Sequence, residues 1–258
     1  MTDTFDESFK WLPEEAFQER IPLTKAAMMA NMASGKGEVR LIRQHVRSSW
    51  VLSLRPDNVG MHAYYDEHRA YSELLVIGIQ LSEMSGERLC RFQEMCHRAI
   101  PYPLFLWLKQ DNNYFLSAVP LRHSRAEKSK DIWDGPLTRT QCAKLDPAFL
   151  AALRPTFSPE MNLRDLYLRW LRALYGLMIN SLPWERILGR TLSFFLPDNI
   201  DEAVRIWTPL AGLCADWKSL DSQLAKERQP NRRVELGNRR FELREQILRA
   251  AATFPGFS

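Results

Sequence analysis

Glu73-Leu-Leu-Val-Ile-Gly-Ile-Gln-Leu81 is apolar at successive positions rather than at alternate ones. A strand that is apolar on both sides leaves no face for water, so this stretch predicts a central strand covered from above and below. Pro103-Leu-Phe-Leu-Trp-Leu-Lys109 reads the same way. Asp111-Asn-Asn113 has turn chemistry and Tyr114 to Val119 returns as a strand, so these two should form a hairpin. Upstream, Ser48 to Leu54 alternates, placing Trp50, Leu52 and Leu54 on one face, and Pro56-Asp-Asn58 stops it. Between the second and third strands, Glu87 to Ala99 reads as a helix with Leu89, Phe92, Met95, Cys96 and Ala99 inward. The expected class is α+β, a small, mostly antiparallel four-stranded sheet with packed helices.

Outward from this centre the signals are local. The first dozen residues read as a tail. A short helix over Pro13 to Glu19 should stop before Pro22, and Thr24 can cap a second helix running to about Ala33. Ser34-Gly-Lys-Gly37 is turn chemistry and not a phosphate loop, because the GxxxxGK[ST] spacing and a preceding strand are missing. Residues 121–160 read as a linker or long loop with a short helix at Asp146 to Leu153. Asn162 can cap the clearest helix, whose Leu163, Leu166, Tyr167, Trp170, Leu171, Leu174, Tyr175 and Met178 share one face. Further helices are expected from Trp184 to Phe195, from Ile200 to Glu227 with Pro209 as a kink or break, and from Arg232 to Ala251. The last two predict an antiparallel hairpin around Gln229-Pro-Asn231. The expected organisation is an α/β domain over 13–120, the linker, and a helical C-terminal region over 161–251.

Hydrophobic residues make up 45% of the 258, enough for a core. No apolar run approaches the roughly 18 residues of a membrane span. The acidic, polar start Met1-Thr-Asp-Thr-Phe-Asp lacks the pattern of a secretory signal, so a cytoplasmic protein without a membrane is expected. Cys90, Cys96, Cys142 and Cys214 form no CxxC. The first two would lie about 9 Å apart along one helix, too far for a disulfide, so structural thiols are expected. His45, His62, His68, His97 and His123 sit in no nucleophile context and at no zinc spacing, so neither a catalytic residue, a metal nor a cofactor is assigned.

The net charge of +4 is concentrated. From Lys226 to Arg249 there are eight basic and four acidic residues, so this segment carries all of the excess. A basic helical segment can meet nucleic acid or an acidic partner, and it can equally be a solvated face with internal ion pairs.

Two stretches carry a family resemblance. They are Arg98-Ala-Ile-Pro-Tyr-Pro-Leu-Phe-Leu-Trp-Leu108, followed by Tyr114-Phe-Leu116, and Lys226-Glu-Arg-Gln-Pro-Asn-Arg-Arg-Val-Glu-Leu-Gly-Asn238. Together they resemble the bacterial family of domain of unknown function 4391, with its "AIPYP" strand entry and late "E-x-Q-F-N-R-K-V-E-L-N" segment. Arg20-Ile-Pro22 with Lys25 looks like the family's early basic segment; Trp50, Leu54 and Pro56 look like its W-to-P strand end; Asp165-Leu-Tyr167 looks like its helix before the tail. The chain departs from the pattern at Pro230, at the extra Gly237, and at Asn58 and Gly60. The resemblance implies an accessory role beside helicases and DNA methyltransferases in restriction-like, anti-phage gene clusters.

The candidate contact residues for such a partner, or for DNA, are Arg228, Asn231, Arg232, Arg233, Arg239, Arg240 and Arg244, with Arg20 and Lys25 from the early segment. Asn231 at a helix start could present free backbone N–H groups to a phosphate, or simply cap the helix with Glu235 nearby. A metal-dependent nuclease is the enzymatic alternative, with Glu73, Lys109, Asp66 and Glu67 as the available groups, although no Asp followed by Glu-x-Lys occurs on a strand. A sequence-independent DNA-binding protein is the other.

Overall fold

The computed structural model describes residues 4–124, 131–156, 160–189 and 193–252. It divides into two compact units, Met1–Leu174 and Tyr175–Ser258.

The first unit opens with α1 (Thr4–Glu7) and α2 (Glu14–Gln18), then β1 (Ile21–Pro22) and α3 (Lys25–Asn31). Thr24 caps α3, its Oγ1 accepting from Ala27 N–H at 3.1 Å. α4 (Lys36–His45) follows at the place where the glycines signal only a turn, and it runs directly into β2 (Val46–Leu54). Glu38 on α4 is buried and held by three donors: Ser34 N–H at 2.7 Å, Ser34 Oγ at 2.8 Å and Arg98 at 2.7 Å. Burial pushes its carboxyl up, but these donors outweigh that and hold it at about 2. After α5 (Pro56–Val59) come the short strands β3 (Tyr64–Tyr65) and β4 (Ala70–Tyr71), then β5 (Leu74–Leu81), α6 (Gly86–Ala99), β6 (Leu104–Gln110) and β7 (Asn113–Ala118).

The sheet is larger than the expected, mostly antiparallel four-stranded one. It is mixed and six-stranded, in the order β1-β2-β5-β6-β7-β10, where β10 is Thr138–Cys142. β5 and β6 are parallel, with Leu75 opposite Leu104 and Leu81 opposite Gln110, because α6 carries the chain back to the starting end of the sheet before β6 begins. The other neighbouring pairs are antiparallel, including the expected β6–β7 hairpin. The 121–160 segment supplies β8 (Leu121–His123), β9 (Asp131–Trp133), β10 and α7 (Pro147–Leu153). β8–β9 is fastened to β3–β4 by His123 N–H donating to His68 O at 2.6 Å. Asp134 adds to this, pairing with Arg69 and, at 3.3 Å, with Arg122.

β5 and β6 are covered on both sides, as their apolar runs require. One layer is α3, α4 and α6, whose Met28, Ile42, Phe92 and Met95 pack on Ile77, Ile79, Leu106 and Leu108. The other is aromatic. The residues that read as a tail fill it: Phe9 lies 4.6 Å from Trp50 and 4.9 Å from Trp107, and Trp11 stacks on Trp107 at 5.9 Å between ring centroids. α8 (Leu163–Asn180) adds Trp170, 5.2 Å from Phe105, and its start has the predicted cap. Asn162 Oδ1 accepts from Asp165 N–H at 3.1 Å while Asp165 Oδ2 accepts from Asn162 N–H at 3.3 Å. Tyr167 is fully buried, its hydroxyl 2.8 Å from Val119 O, 3.0 Å from Leu104 O and 3.2 Å from Val119 N. The four cysteines are unbridged.

The second unit holds the end of α8, α9 (Trp184–Leu188), α10 (Ile200–Lys226) and α11 (Pro230–Ala251). α10 passes through Pro209 as one element, so the proline does not end it. No helix among the described residues is long and apolar enough to cross a membrane.

Candidate interaction surface on the C-terminal helix hairpin

α10 and α11 pack together by facing stripes. α10 buries Ile206, Leu210, Cys214 and Trp217; α11 buries Leu243, Ile247 and Ala251; Trp184 and Ile187 of α9 join the same cluster. Asn199 starts α10, its Oδ1 accepting from Glu202 N–H at 2.8 Å. The reversal between the helices is short, Glu227 to Gln229, which makes them antiparallel neighbours.

The start of α11 differs from expectation. Pro230 takes the first helical position and Gln229 the cap position, so Asn231 lies inside the first turn and does not cap it. Glu227 instead binds the two backbone N–H groups that precede the helix. Its Oε1 accepts from Arg228 N–H at 2.8 Å and Gln229 N–H at 2.9 Å, and Oε2 pairs with Arg232 at 3.5 Å. The Gln229 hydrogen bond first, then Arg228 N–H and the charges of Arg232 and Arg233, hold its carboxyl below the usual range. Pro230 has no N–H to offer, and the two backbone donors just before it already face a carboxylate.

The arginines fall into two groups. Arg240 and Arg244 are built into the hairpin. Arg240 pairs with Asp221 at 3.3 Å and lies 4.8 Å over the Trp217 ring, while Arg244 Nε donates to Ile187 O at 2.7 Å and Nη1 pairs with Glu245 at 3.2 Å. Asp221 also takes Arg186 of α9 at 3.3 Å. Arg228, Arg233 and Arg239 are exposed and make no ion pair among the described residues. Arg20 and Lys25 belong to the first unit. The Arg20 guanidinium sits 4.2 Å over Phe17, and Lys25 donates to Arg43 O at 3.2 Å.

Sequence reasoning missed an apolar feature among these charges. Val234 and Phe241 are 64% and 62% exposed. At about 100° per residue they lie on the side of α11 away from Leu236 and Leu243, so the helix carries a second apolar stripe. Gly237 falls between them, and a Cβ there would meet nothing within 4 Å. A glycine inside a helix costs about 1 kcal/mol relative to alanine, and no neighbour among the described residues requires one here. The gap opens a groove of about 340 Å³ between α10 and α11, with Trp217, Leu224 and Phe241 as its apolar lining and Arg240 and Arg244 among its charged residues. The sequence signal was available: Val234 and Phe241 are seven apart, and so are Leu236 and Leu243.

Glu73 and Lys109, two of the nuclease candidates, do not come together. β5 and β6 are parallel with Gln80 opposite Lys109, so Glu73, before β5, and Lys109, near the end of β6, lie at opposite ends of the sheet. Lys109 is buried, 5.8 Å from the Phe5 ring and 5.9 Å from that of Tyr114. Among the described residues no group of three His, Cys, Asp or Glu could hold a metal. His97 Nε2 lies 3.0 Å from Ser117 Oγ, a base–hydroxyl distance, but both side chains are sealed between α6 and β7, away from any substrate. Burial drives His97 down to about 3, so it stays neutral and ties the helix to the sheet.

Searches of curated proteins and of solved structures return no match. A family model does match, over residues 11–247, spanning both the sheet and the helix hairpin. The chain belongs to the family described as Domain of unknown function (DUF4391).

Proposed function

We propose that this chain is a non-enzymatic accessory subunit of a bacterial, restriction-like anti-phage system, acting in the cytoplasm and binding a helicase or DNA methyltransferase partner through its C-terminal hairpin. The observation that carries this reading is the outer surface of α11. It presents exposed Val234 and Phe241 beside exposed arginines, on a helix whose other side already packs in the core. An exposed apolar pair rimmed by charge is the chemistry of a protein interface. The family's setting beside helicases and methyltransferases supplies the kind of partner.

Direct DNA contact is a second reading, favoured by Arg228, Arg233 and Arg239, which are exposed and make no ion pair among the described residues. Glu227 weighs against phosphate binding at the backbone just before α11.

Both readings are tested by co-purifying the chain with the helicase and the methyltransferase encoded beside it, and by titrating labelled duplex DNA at about 50 and 200 mM salt with magnesium present. A stable complex that forms at both salts and is lost on Phe241→Glu supports the subunit role. DNA binding that falls steeply with salt and disappears in an Arg228→Glu/Arg233→Glu/Arg239→Glu variant supports the second. Cut DNA, or no complex with either protein, overturns the proposal.

A further inference from the structure

We infer that the groove between α10 and α11 receives an acidic amphipathic helix from the partner protein, with one large apolar side chain of that helix seated over Gly237. This rests on the subunit reading above and names the chemistry of its interface. Two features fix the occupant. The first is shape: Trp217 and Leu224 lie on α10, Phe241 stands on α11, and the missing Cβ of Gly237 leaves the space between them open. The stripe Val234, Gly237, Phe241 repeats at the three- and four-residue spacing that a second helix packs against.

The second feature is charge. Arg233, Arg240 and Arg244 lie on one side of α11, alongside the apolar stripe, and Arg186 of α9 also lines the groove. Asp221 answers Arg186 and Arg240 together, so a single carboxylate stands against two guanidinium groups. A helix that carries Glu or Asp beside its apolar stripe would complete these pairs. A second copy of the chain fits less well. Two antiparallel α11 helices facing each other across a twofold axis would bring each arginine row against its own equivalent.

The test uses the full chain and two fluorescein-labelled synthetic helical peptides with the same Leu and Trp stripe, one flanked by Glu and the other by Lys. Fluorescence anisotropy should show the Glu peptide binding at least about tenfold more tightly than the Lys peptide. Gly237→Leu fills the notch with a better helix former and should weaken the Glu peptide by about tenfold or more, with unchanged circular dichroism. Phe241→Glu should do the same. Equal affinity for the two peptides, or an unchanged affinity in Gly237→Leu, overturns the inference. So does sedimentation showing a dimer that Phe241→Glu disperses, or loss of duplex DNA binding in Gly237→Leu, since each names a different occupant. The two levels separate cleanly. A complex with the neighbouring helicase or methyltransferase that survives Gly237→Leu keeps the subunit role and removes this groove from it. Glu-peptide binding that Gly237→Leu abolishes, without any such complex, keeps the groove and removes the role.

Discussion

Replacing Gly78 with alanine tests the packing of the aromatic layer directly. Gly78 sits at the centre of the sheet, opposite Trp50 on β2 and Trp107 on β6. The Trp50 ring lies across it, so a Cβ built on Gly78 would stand 2.5 Å from Trp50 Cε2 and 2.9 Å from Nε1. Carbon atoms pack best at about 3.5–4.0 Å, so the ring must retreat by about 1 Å. It has nowhere easy to go, because Phe9 and Phe17 hold it at 4.6 and 5.6 Å between centroids. Overpacking of this kind costs about 1–3 kcal/mol, and the gain of alanine over glycine in a strand returns under about 1 kcal/mol of it. A net loss of about 2 kcal/mol is expected, read as a lower urea midpoint by circular dichroism with an unchanged slope. The cycle is completed with Trp50→Leu. Its Nε1 is buried without a hydrogen-bond partner, so removing the indole loses packing but no polar contact. In the Trp50→Leu background, Gly78→Ala should cost at least about 1 kcal/mol less than it does alone. A Gly78→Ala protein within about 0.5 kcal/mol of the parent, or strictly additive single variants, would refute the account of Gly78 as the seat of the Trp50 ring.

Three further outcomes follow from the same physics. His97 is held neutral to about 3, below its unfolded value near 6.5, so the unfolded chain takes up the proton first. Stability should be full above about pH 6.5 and fall by up to about 1.4 kcal/mol per pH unit below it, and His97→Gln should flatten that part of a urea-midpoint profile. Tyr167→Phe removes the hydroxyl shared by Leu104 O, Val119 O and Val119 N–H and should cost about 1–3 kcal/mol in chemical denaturation; a cost near zero would mean that the carbonyls are satisfied elsewhere. Gly176→Ala places a Cβ against Phe195 O and 3.1 Å from the Phe194 ring, so it should lower the stability of the helical unit by about 1–3 kcal/mol, whereas a helix-propensity gain alone would raise it.

The strands that could be read from the sequence are those whose burial is written in apolar side chains. β5 and β6 are apolar on both faces and sit at the centre of the sheet; β2 alternates and has Trp50, Leu52 and Leu54 buried on one side. β10 escaped because its inward residues are Thr138 and Thr140, which are buried but carry no hydrophobic signal. α4 escaped because it begins with Lys36 and Gly37, and one of its inward residues is Glu38, whose burial depends on Ser34 and Arg98. The parallel pairing of β5 with β6 was implicit in the intervening helix, since a hairpin needs only a short turn and a parallel return needs a crossover.

The candidate surface shows the same division between composition and context. The arginine excess of α11 is visible as charge, but its use depends on residues far away in the chain. Arg240 is matched to Asp221 and Trp217, and Arg244 to the Ile187 carbonyl, so these two are chiefly supports of the hairpin. Arg228 and Arg239 make no ion pair among the described residues, and Arg233 contributes only its charge near Glu227. Reversing Arg240 would therefore confound loss of binding with loss of the hairpin, whereas reversing Arg228, Arg233 and Arg239 acts on charge alone. The apolar stripe of Val234 and Phe241 follows the opposite logic. It is plain in the sequence, and only the structure shows that Leu236, Leu243 and Ile247 already satisfy the hairpin core. A helix with one buried stripe needs one neighbour. α11 carries two stripes and α10 covers one of them, so the second is left facing outward.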